Sequence, residues 1–343
     1  MLKIDMFSTA DQVKGQGVGS VYDELMAMLK KYFPDRLKLE INRYNRADVS
    51  HYHTVNLPFY FSTFSKKRGR KVGFVHFLPE TLDQSLAMPW LLKKIFYHYV
   101  IAFYKRMDQL VVVNPAFISK LAEYGIPESK VTYIPNFVSS AEFYPVSNQQ
   151  KLQLRYKLGM PLHRFTVIGT GQIQTRKGVM DFVHLAKVNP EYQFIWVGGF
   201  SFGHITDGYR QLKKVVKNHP KNLSFPGIID REKMVKYYNL ADLFLLPSYS
   251  ELFPMSVLEA FACGLPVLLR NLALYRSILK NDYLSFDTFS GLNLLVNRLA
   301  KEPNRLRTLQ HKSMDASHYY SERRLAKIWY RFYVQQAKEG QHV

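Results

Sequence analysis

Short apolar runs alternate with stretches of helical spacing along the chain. Leu2–Phe7 reads as a strand. Val18–Leu29, apolar at Val21, Leu25, Met28 and Leu29, reads as an amphipathic helix. Val72–Phe77 and Leu110–Val113 have the length and composition of buried strands. Between them the spacing predicts a long helix over Pro89–Met107, with Pro89 suited to its first turn. Val131–Pro135 is a further strand. The polar segment Ser139–Gln150 closes this series, and the pattern then restarts. Phe165–Gly169, Gln193–Val197, Leu223–Phe225, Leu243–Leu246 and Val267–Leu269 read as strands, separated by helical stretches near 178–188, 207–218, 231–239 and 254–263. The C-terminal segment is helical and basic, with Arg323, Arg324, Lys327, Arg331 and Lys338. Strands alternating with helices in two successive series predict an α/β fold with parallel sheets and right-handed crossovers. The expected domains are 1–145 and 146–320, followed by a helix at 321–343 that packs back on the first. Ligands of such sheets bind outside the carboxyl ends of the strands.

Composition agrees with two cores: 343 residues, 47% hydrophobic and 15% aromatic, which excludes disordered and fibrous classes. Charge changes the picture more. Forty-seven Lys+Arg against 27 Asp+Glu give a net charge of +20. The excess is uneven: residues 1–150 carry 19 cations and 13 carboxylates, and residues 151–343 carry 28 and 14. A polyanionic partner follows: nucleic acid, an anionic membrane surface or a phosphorylated ligand. No nucleic-acid-binding motif is present. One cysteine, Cys263, excludes a disulfide framework and a Cys-based zinc site, and fits a cytosolic compartment. Met1–Ser8 reads as a strand rather than a signal peptide, and no uncharged apolar run reaches the length of a membrane span.

The densest chemistry lies at Pro247-Ser-Tyr-Ser-Glu251-Leu-Phe253-Pro254-Met255-Ser-Val-Leu-Glu259, followed by Cys263-Gly-Leu-Pro-Val267. Glu251 follows a predicted strand. Pro254 suits a helix opening, whose free N–H groups near Phe253–Ser256 form an anion site. Glu259 falls inside that helix. One carboxylate would meet a sugar hydroxyl and the other a ribose, while the amides hold a diphosphate. A helix-end charge and a solvated one would also satisfy the pair.

This segment resembles the retaining family 4 glycosyltransferases of GT-B fold, and the resemblance covers nearly the whole chain. Gly171-Gln172-Ile-Gln-Thr-Arg176-Lys177-Gly178 is similar to their diphosphate-binding turn. Gly15-Gln16-Gly17-Val18-Gly19 is similar to their first-domain glycine loop, and Ile134-Pro135-Asn136-Phe137-Val138 to their domain-closing segment. The resemblance implies two Rossmann-like domains facing across a cleft, with a UDP-sugar held mainly by the second. Gln172 stands where these enzymes usually carry an arginine, so phosphate neutralisation falls to Lys177 with Arg176. The expected donor-binding set is Gly17, Gly19, Gly171, Arg176, Lys177, Phe253, Pro254, Met255 and Glu259. Glu251, His76 and Lys177 are the expected catalytic residues. No Asp-x-Asp pair is present, so no metal cofactor is expected; helix amides and Lys177 would stabilise the leaving diphosphate instead. The family retains anomeric configuration, which implies front-face attack with the departing diphosphate taking the acceptor's proton.

His76 sits where the family places a sugar-contacting histidine, although a histidine on an apolar strand also fits a core position; His51 and His53 are open in the same way. On the acceptor side, Glu80 is a candidate carboxylate. Within Pro89–Met107, Leu92, Ile95, Phe96, Tyr99 and Phe103 share one face, expected to be core. Lys94, His98 and Lys105 share the other, flanked by Trp90, Lys93, Tyr97 and Tyr104. That mixture suits the headgroup layer of an anionic bilayer, and also plain solvent. The cation run Lys66–Lys71 reads as a solvated loop. Val75-His-Phe-Leu-Pro-Glu80 and Gly198-Gly-Phe-Ser-Phe-Gly203 resemble the bacterial enzymes that extend glucosyl-diacylglycerol into the glycolipid anchor of lipoteichoic acid. The resemblance implies a peripheral protein on the inner face of the membrane that transfers glucose or galactose. A polysaccharide or teichoic-acid acceptor is the alternative.

Overall fold

A computed structural model describes residues 1–9, 17–79, 90–200, 203, 206–251, 253–279 and 282–341. The chain forms two compact units: Met1–Phe137 with Glu322–Val343, and Val138–Ser321.

The first unit is built on β1 (Leu2–Phe7), α1 (Gly17–Tyr32), β2 (Leu37–Ile41), β3 (Val49–Tyr52), α2 (Leu57–Ser62), β4 (Arg70–Val75), α3 (Trp90–Lys105), β5 (Gln109–Val112), α4 (Ala116–Glu123) and β6 (Val131–Tyr133). Its strands are all parallel, in the order β2-β1-β3-β4-β5-β6. The second unit holds α5 (Asn148–Lys157), β7 (Thr166–Thr170), α6 (Val179–Val188), β8 (Gln193–Val197), α7 (Tyr209–Lys217), β9 (Leu223–Gly227), α8 (Arg231–Leu240), β10 (Leu243–Leu246), α9 (Met255–Ala262), β11 (Val267–Arg270), α10 (Ala273–Ile278), β12 (Leu284–Phe286), α11 (Phe289–Lys301) and α12 (Pro303–Tyr319). Its sheet runs β12-β11-β10-β7-β8-β9, again parallel. α13 (Glu322–Gln341) returns to the first unit, where Lys31 Nζ meets Glu322 at 2.9 Å and Arg70 Nη2 meets Glu339 at 2.8 Å.

The central strands read as unbroken apolar runs because both faces are covered. Ile168, Ile195, Phe244, Leu246 and Val267 join one buried cluster, while Val167, Phe194, Trp196, Leu245 and Leu268 join the other. Alternate side chains thus fill opposite layers. β2, β3, β12 and the helices α2, α4, α5, α10 and α11 are not among the expected elements. β2 and β3 are short and carry polar residues. The polar segment 139–150 lies wholly within the second unit. Phe143 is buried in its core, and Ser147 and Gln150 form a capping box that starts α5.

Two expectations about the first unit are corrected. Leu92 and Ile95, expected to be core, are 54% and 60% exposed, while Tyr104, expected on the polar face, is buried and donates from its hydroxyl to the Phe77 carbonyl at 3.0 Å. The buried residues of α3 are Val100, Ile101, Phe103 and Tyr104, all in its second half. A 16-residue helix is about 24 Å long, whereas the four residues of β5 span about 13 Å, so the helix outruns that strand. The run Lys66–Lys71 is not a solvated loop throughout. Lys66 and Lys67 are exposed, but Arg68 is buried, its guanidinium on Asp5 at 3.2 Å and on the carbonyl of Asn45 at 2.8 Å. Arg70 and Lys71 pair with Glu339 and Asp108.

Candidate active site

In the second sheet the chain winds from β7 outward through β8 and β9, then returns to the other side of β7 as β10. The crevice of a doubly wound sheet opens at that reversal, at the carboxyl ends of the two strands. β7 leads into Gly171–Lys177 and β10 into Pro247–Glu251. Topology therefore brings two segments some 70 residues apart to one place.

Their side chains meet there. Lys177 Nζ lies 2.6 Å from Glu251 Oε1, and the Ser248 hydroxyl donates to the same oxygen at 2.6 Å. Arg176 stands 3.8 Å from Glu251 Oε2 and donates to the Ser250 carbonyl at 3.2 Å and to Gln174 at 3.0 Å. Both members of the central pair are nearly buried, at 12% and 5% exposure. Burial lowers the Lys177 pKa, and the Glu251 carboxylate opposes that shift. The close approach of the segments depends on glycine. Gly178 has φ +70, and a Cβ there would fall 2.2 Å from the Pro247 carbonyl oxygen. Gly198 has φ +142, and its Cβ would fall 1.9 Å from that of Gly171. Any side chain at either position would push the strand ends apart.

α9 begins beyond Pro254, its N-terminal cap residue. Phe253 and Met255 pack against the core, and Glu259 is buried on the second turn. Both Glu259 oxygens are engaged: Arg231 Nη1 donates to Oε1 at 2.9 Å and the Tyr238 hydroxyl to Oε2 at 2.6 Å. Burial, then the adjacent carboxylate, hold the Tyr238 pKa well above its ordinary value. Next to this site Arg270 stacks over Tyr249 at 4.0 Å, and the Tyr249 hydroxyl donates to Asp181 at 2.7 Å. The structure thus gathers Gly171, Arg176, Lys177, Glu251, Phe253, Pro254, Met255 and Glu259 within the second unit. It adds Ser248, Arg231 and Tyr238. Ser248 lies three residues before Glu251, within reach of a sequence reading; nothing in the sequence joins Arg231 or Tyr238 on α8 to Glu259 on α9.

The remaining expected residues belong to the first unit. Gly17 and Gly19 open α1, while Gly15, Gln16 and Glu80 lie outside the described residues. At its own strand reversal, the carboxyl ends of β1 and β3, Thr9, Thr54 and Asn56 form a hydrogen-bonded group with Thr54 donating to Asn56 at 2.6 Å. His76 follows β4 and stacks on Phe74 at 4.2 Å. His53 and His51 stack on Phe74 too, at 5.1 and 5.9 Å. His51 shares a 2.7 Å hydrogen bond with the Tyr333 hydroxyl of α13, whereas neither ring nitrogen of buried His53 has a partner among the described residues. Burial pushes His51 and His76 down to about 3 and His53 well below its ordinary value, so all three rings are neutral at pH 7. Trp90 and Lys94 are exposed at the start of α3, Lys93 lies over Tyr97 at 5.8 Å, and Lys105 is exposed at the far end. Among the described residues no group of three or more His, Cys, Asp or Glu side chains is arranged to hold a metal, and no helix is long and apolar enough to cross a membrane.

Comparison with known proteins agrees with this architecture. Residues 15–142 match the description "Glycosyltransferase Family 4" and residues 150–312 "Glycosyl transferases group 1". The alpha-galactosylglucosyldiacylglycerol synthase of Streptococcus pneumoniae is 48% identical over 99% of this chain and 91% of its own. The processive diacylglycerol alpha-glucosyltransferase of Acholeplasma laidlawii is 26% identical over 74% of this chain and 79% of its own. Among solved structures, the sucrose-phosphate synthase of Thermosynechococcus elongatus has a TM-score of 0.79 at 16% identity, covering 98% of this chain and 99% of that one. Anabaena HepE in complex with UDP-glucose has a TM-score of 0.76 at 15% identity over the whole of both chains. Two parallel-sheet units, the glutamate pair on the β10 and α9 segments and these likenesses agree: the chain belongs to the family 4 glycosyltransferases, enzymes of GT-B fold.

Proposed function

We propose that this enzyme moves glucose or galactose from a UDP-hexose to monoglucosyl-diacylglycerol, with retention of the anomeric configuration, at the inner face of the cell membrane. The observation that carries the reading is the Lys177–Glu251 pair at the strand reversal, in a chain 48% identical to a synthase of a galactosylglucosyl lipid.

The donor exchanges partners with that pair. Its diphosphate takes Lys177, with Arg176 beside it, and the amides at Phe253–Ser256 complete the anion site. Glu251, still held by Ser248, turns its freed oxygens to the hexose hydroxyls. Glu259 takes the ribose. The C1–O bond to the diphosphate breaks while the bond from the acceptor oxygen forms on the same face, and the acceptor's proton passes to the departing phosphate oxygen. Lys177 and the amides stabilise the developing charge, so the reaction runs without a metal.

The lipid reading is supported by the surface of the first unit. Trp90, Leu91, Leu92 and Ile95 are 54–75% exposed on the first turns of α3, and Leu57, Phe61 and Phe64 are 58–66% exposed on and just beyond α2. The two elements are neighbours, with Tyr60 against Tyr99 at 5.6 Å and Arg106 over Phe64 at 4.1 Å. Exposed Lys66, Lys67 and Lys94 border them. Large apolar side chains fringed with lysine suit the headgroup boundary of an anionic bilayer.

Incubation with UDP-glucose or UDP-galactose and glucosyl-diacylglycerol in vesicles, read by mass, tests the proposal. A lipid product one hexose heavier is expected. Release of UDP with transfer only to a polysaccharide or teichoic-acid acceptor would refute the lipid assignment.

A further inference from the structure

Glu259 is held from the protein side through both of its oxygens. A carboxylate offers about four lone-pair sites. Arg231 Nη1 takes one on Oε1 and the Tyr238 hydroxyl one on Oε2. That leaves acceptor capacity on each oxygen, and a carboxylate with a free site on both oxygens can accept from two neighbouring hydroxyls. A carboxylate free to rotate would present this pair of sites only part of the time.

The two holders are themselves fixed. Tyr238 is fully buried on α8. Arg231 opens α8; its Nε donates to Glu142 at 3.2 Å and its guanidinium lies 5.1 Å from the Phe143 ring centroid. With 35% of its side chain exposed, Arg231 stands at the outer edge of the arrangement, whereas Tyr238 closes it from within.

We propose that Arg231 is a positioning residue for nucleotide recognition: together with Tyr238 it locks Glu259 as a two-point acceptor for the vicinal diol of the donor's ribose, and so sets the preference for ribonucleotide over 2′-deoxyribonucleotide donors. This rests on the reading that Glu259 meets the ribose.

Calorimetry with UDP and 2′-deoxy-UDP separates the two claims. The parent enzyme should prefer UDP by about tenfold or more, the scale of one charge-assisted hydrogen bond. Arg231→Ala should weaken UDP and leave 2′-deoxy-UDP nearly unchanged, bringing the preference below about threefold. Arg231→Lys, which still donates to Oε1, should restore most of it. Tyr238→Phe provides a second variant that loses the inner donor and should also narrow the preference. If the parent itself does not distinguish the two nucleotides, the ribose reading of Glu259 fails. If the parent discriminates and Arg231→Ala discriminates equally well, the positioning role is overturned while the ribose reading stands. If Arg231→Ala weakens both nucleotides by the same factor, Arg231 acts on the diphosphate or on the fold, and positioning is again overturned.

Discussion

At the scale of single residues, the pair that carries the proposed chemistry is satisfied before any donor arrives. Lys177 and Glu251 are both nearly buried and 2.6 Å apart. Removing one partner of such a pair leaves a buried charge uncompensated, at a cost of about 3–5 kcal/mol. Glu251→Gln should therefore lower the melting temperature, and saturating UDP should raise it more in the variant than in the parent, because the diphosphate supplies the missing negative charge. Equal UDP-induced shifts in calorimetric melting would show that the diphosphate does not reach Lys177. Glu251→Ala should reduce turnover at least ~100-fold, the usual scale for a lost transition-state contact; product formation near the parent rate would remove Glu251 from the mechanism. Lys177→Ala should weaken UDP binding by about 1.5–3 kcal/mol, as expected for a charge-assisted hydrogen bond, and unchanged affinity by calorimetry would argue against it. The sequence marks Glu251, Glu259 and Lys177 because charged residues at fixed spacing beside a predicted strand end and a helix opening form the pattern of an anion site. It does not mark Arg231 or Tyr238, whose link to Glu259 exists only once α8 and α9 lie side by side.

At the scale of elements, legibility follows burial. β7, β8 and β10 are buried on both faces, and each reads as an apolar run. β3 is Val-Ser-His-Tyr; all four residues are buried, but Ser50 and His51 disguise it as a polar loop. His51 is accommodated by Tyr333, 282 residues away, a pairing that no local pattern displays. The Pro89–Met107 helix shows a subtler limit. Its spacing is helical throughout, yet a periodic pattern gives a face and not the length of sheet available to cover it. The apolar residues left over at its start, with those on α2, carry the membrane prediction. Replacing Trp90, Leu92 and Ile95 by Ser removes about 1.5–3 kcal/mol per inserted side chain, while Lys66 and Lys67 each add about 1 kcal/mol near an anionic surface. The triple serine variant should lose at least a hundredfold in partitioning to anionic vesicles with its melting temperature unchanged. Lys105→Ser should have little effect, since Lys105 lies about 20 Å from Trp90 along the helix. Sedimentation of the triple variant with vesicles at the parent's level would move the membrane face elsewhere.

At the scale of the whole molecule, two parallel-sheet units followed from strand–helix alternation, because each unit repeats one local rule; the reversals at β1/β3 and β7/β10 rest on a strand order that no local pattern displays. The division at Phe137/Val138 did not follow from it either, since it turns on where Phe143 is buried and not on where the chain is polar. The two units also differ in what acid does to them. His51 and His53 of the first unit are buried and neutral, with pKa values pushed down by burial, to about 3 for His51. In the unfolded chain both titrate near 6.5. Between these limits the unfolded state binds more protons, so folding stability is complete above pH 6.5 and is lost as pH falls toward 3. Two such rings remove about 3 kcal/mol by pH 5.5. Asp5, also buried in the first unit, has a pKa held above its ordinary value by burial, so its protonation favours the folded state, but only at the acid end of the range. The first unit should therefore open before the second on acidification. Hydrogen exchange pulsed at one fixed pH after equilibration at lower values should show Val49–Val75 losing protection while Thr166–Val197 keeps it. His53→Leu, which removes two ring nitrogens without partners, should move the opening of the first unit to lower pH. Simultaneous loss of protection in both segments, or an unchanged midpoint in His53→Leu, would show that the buried imidazoles do not set the acid limit.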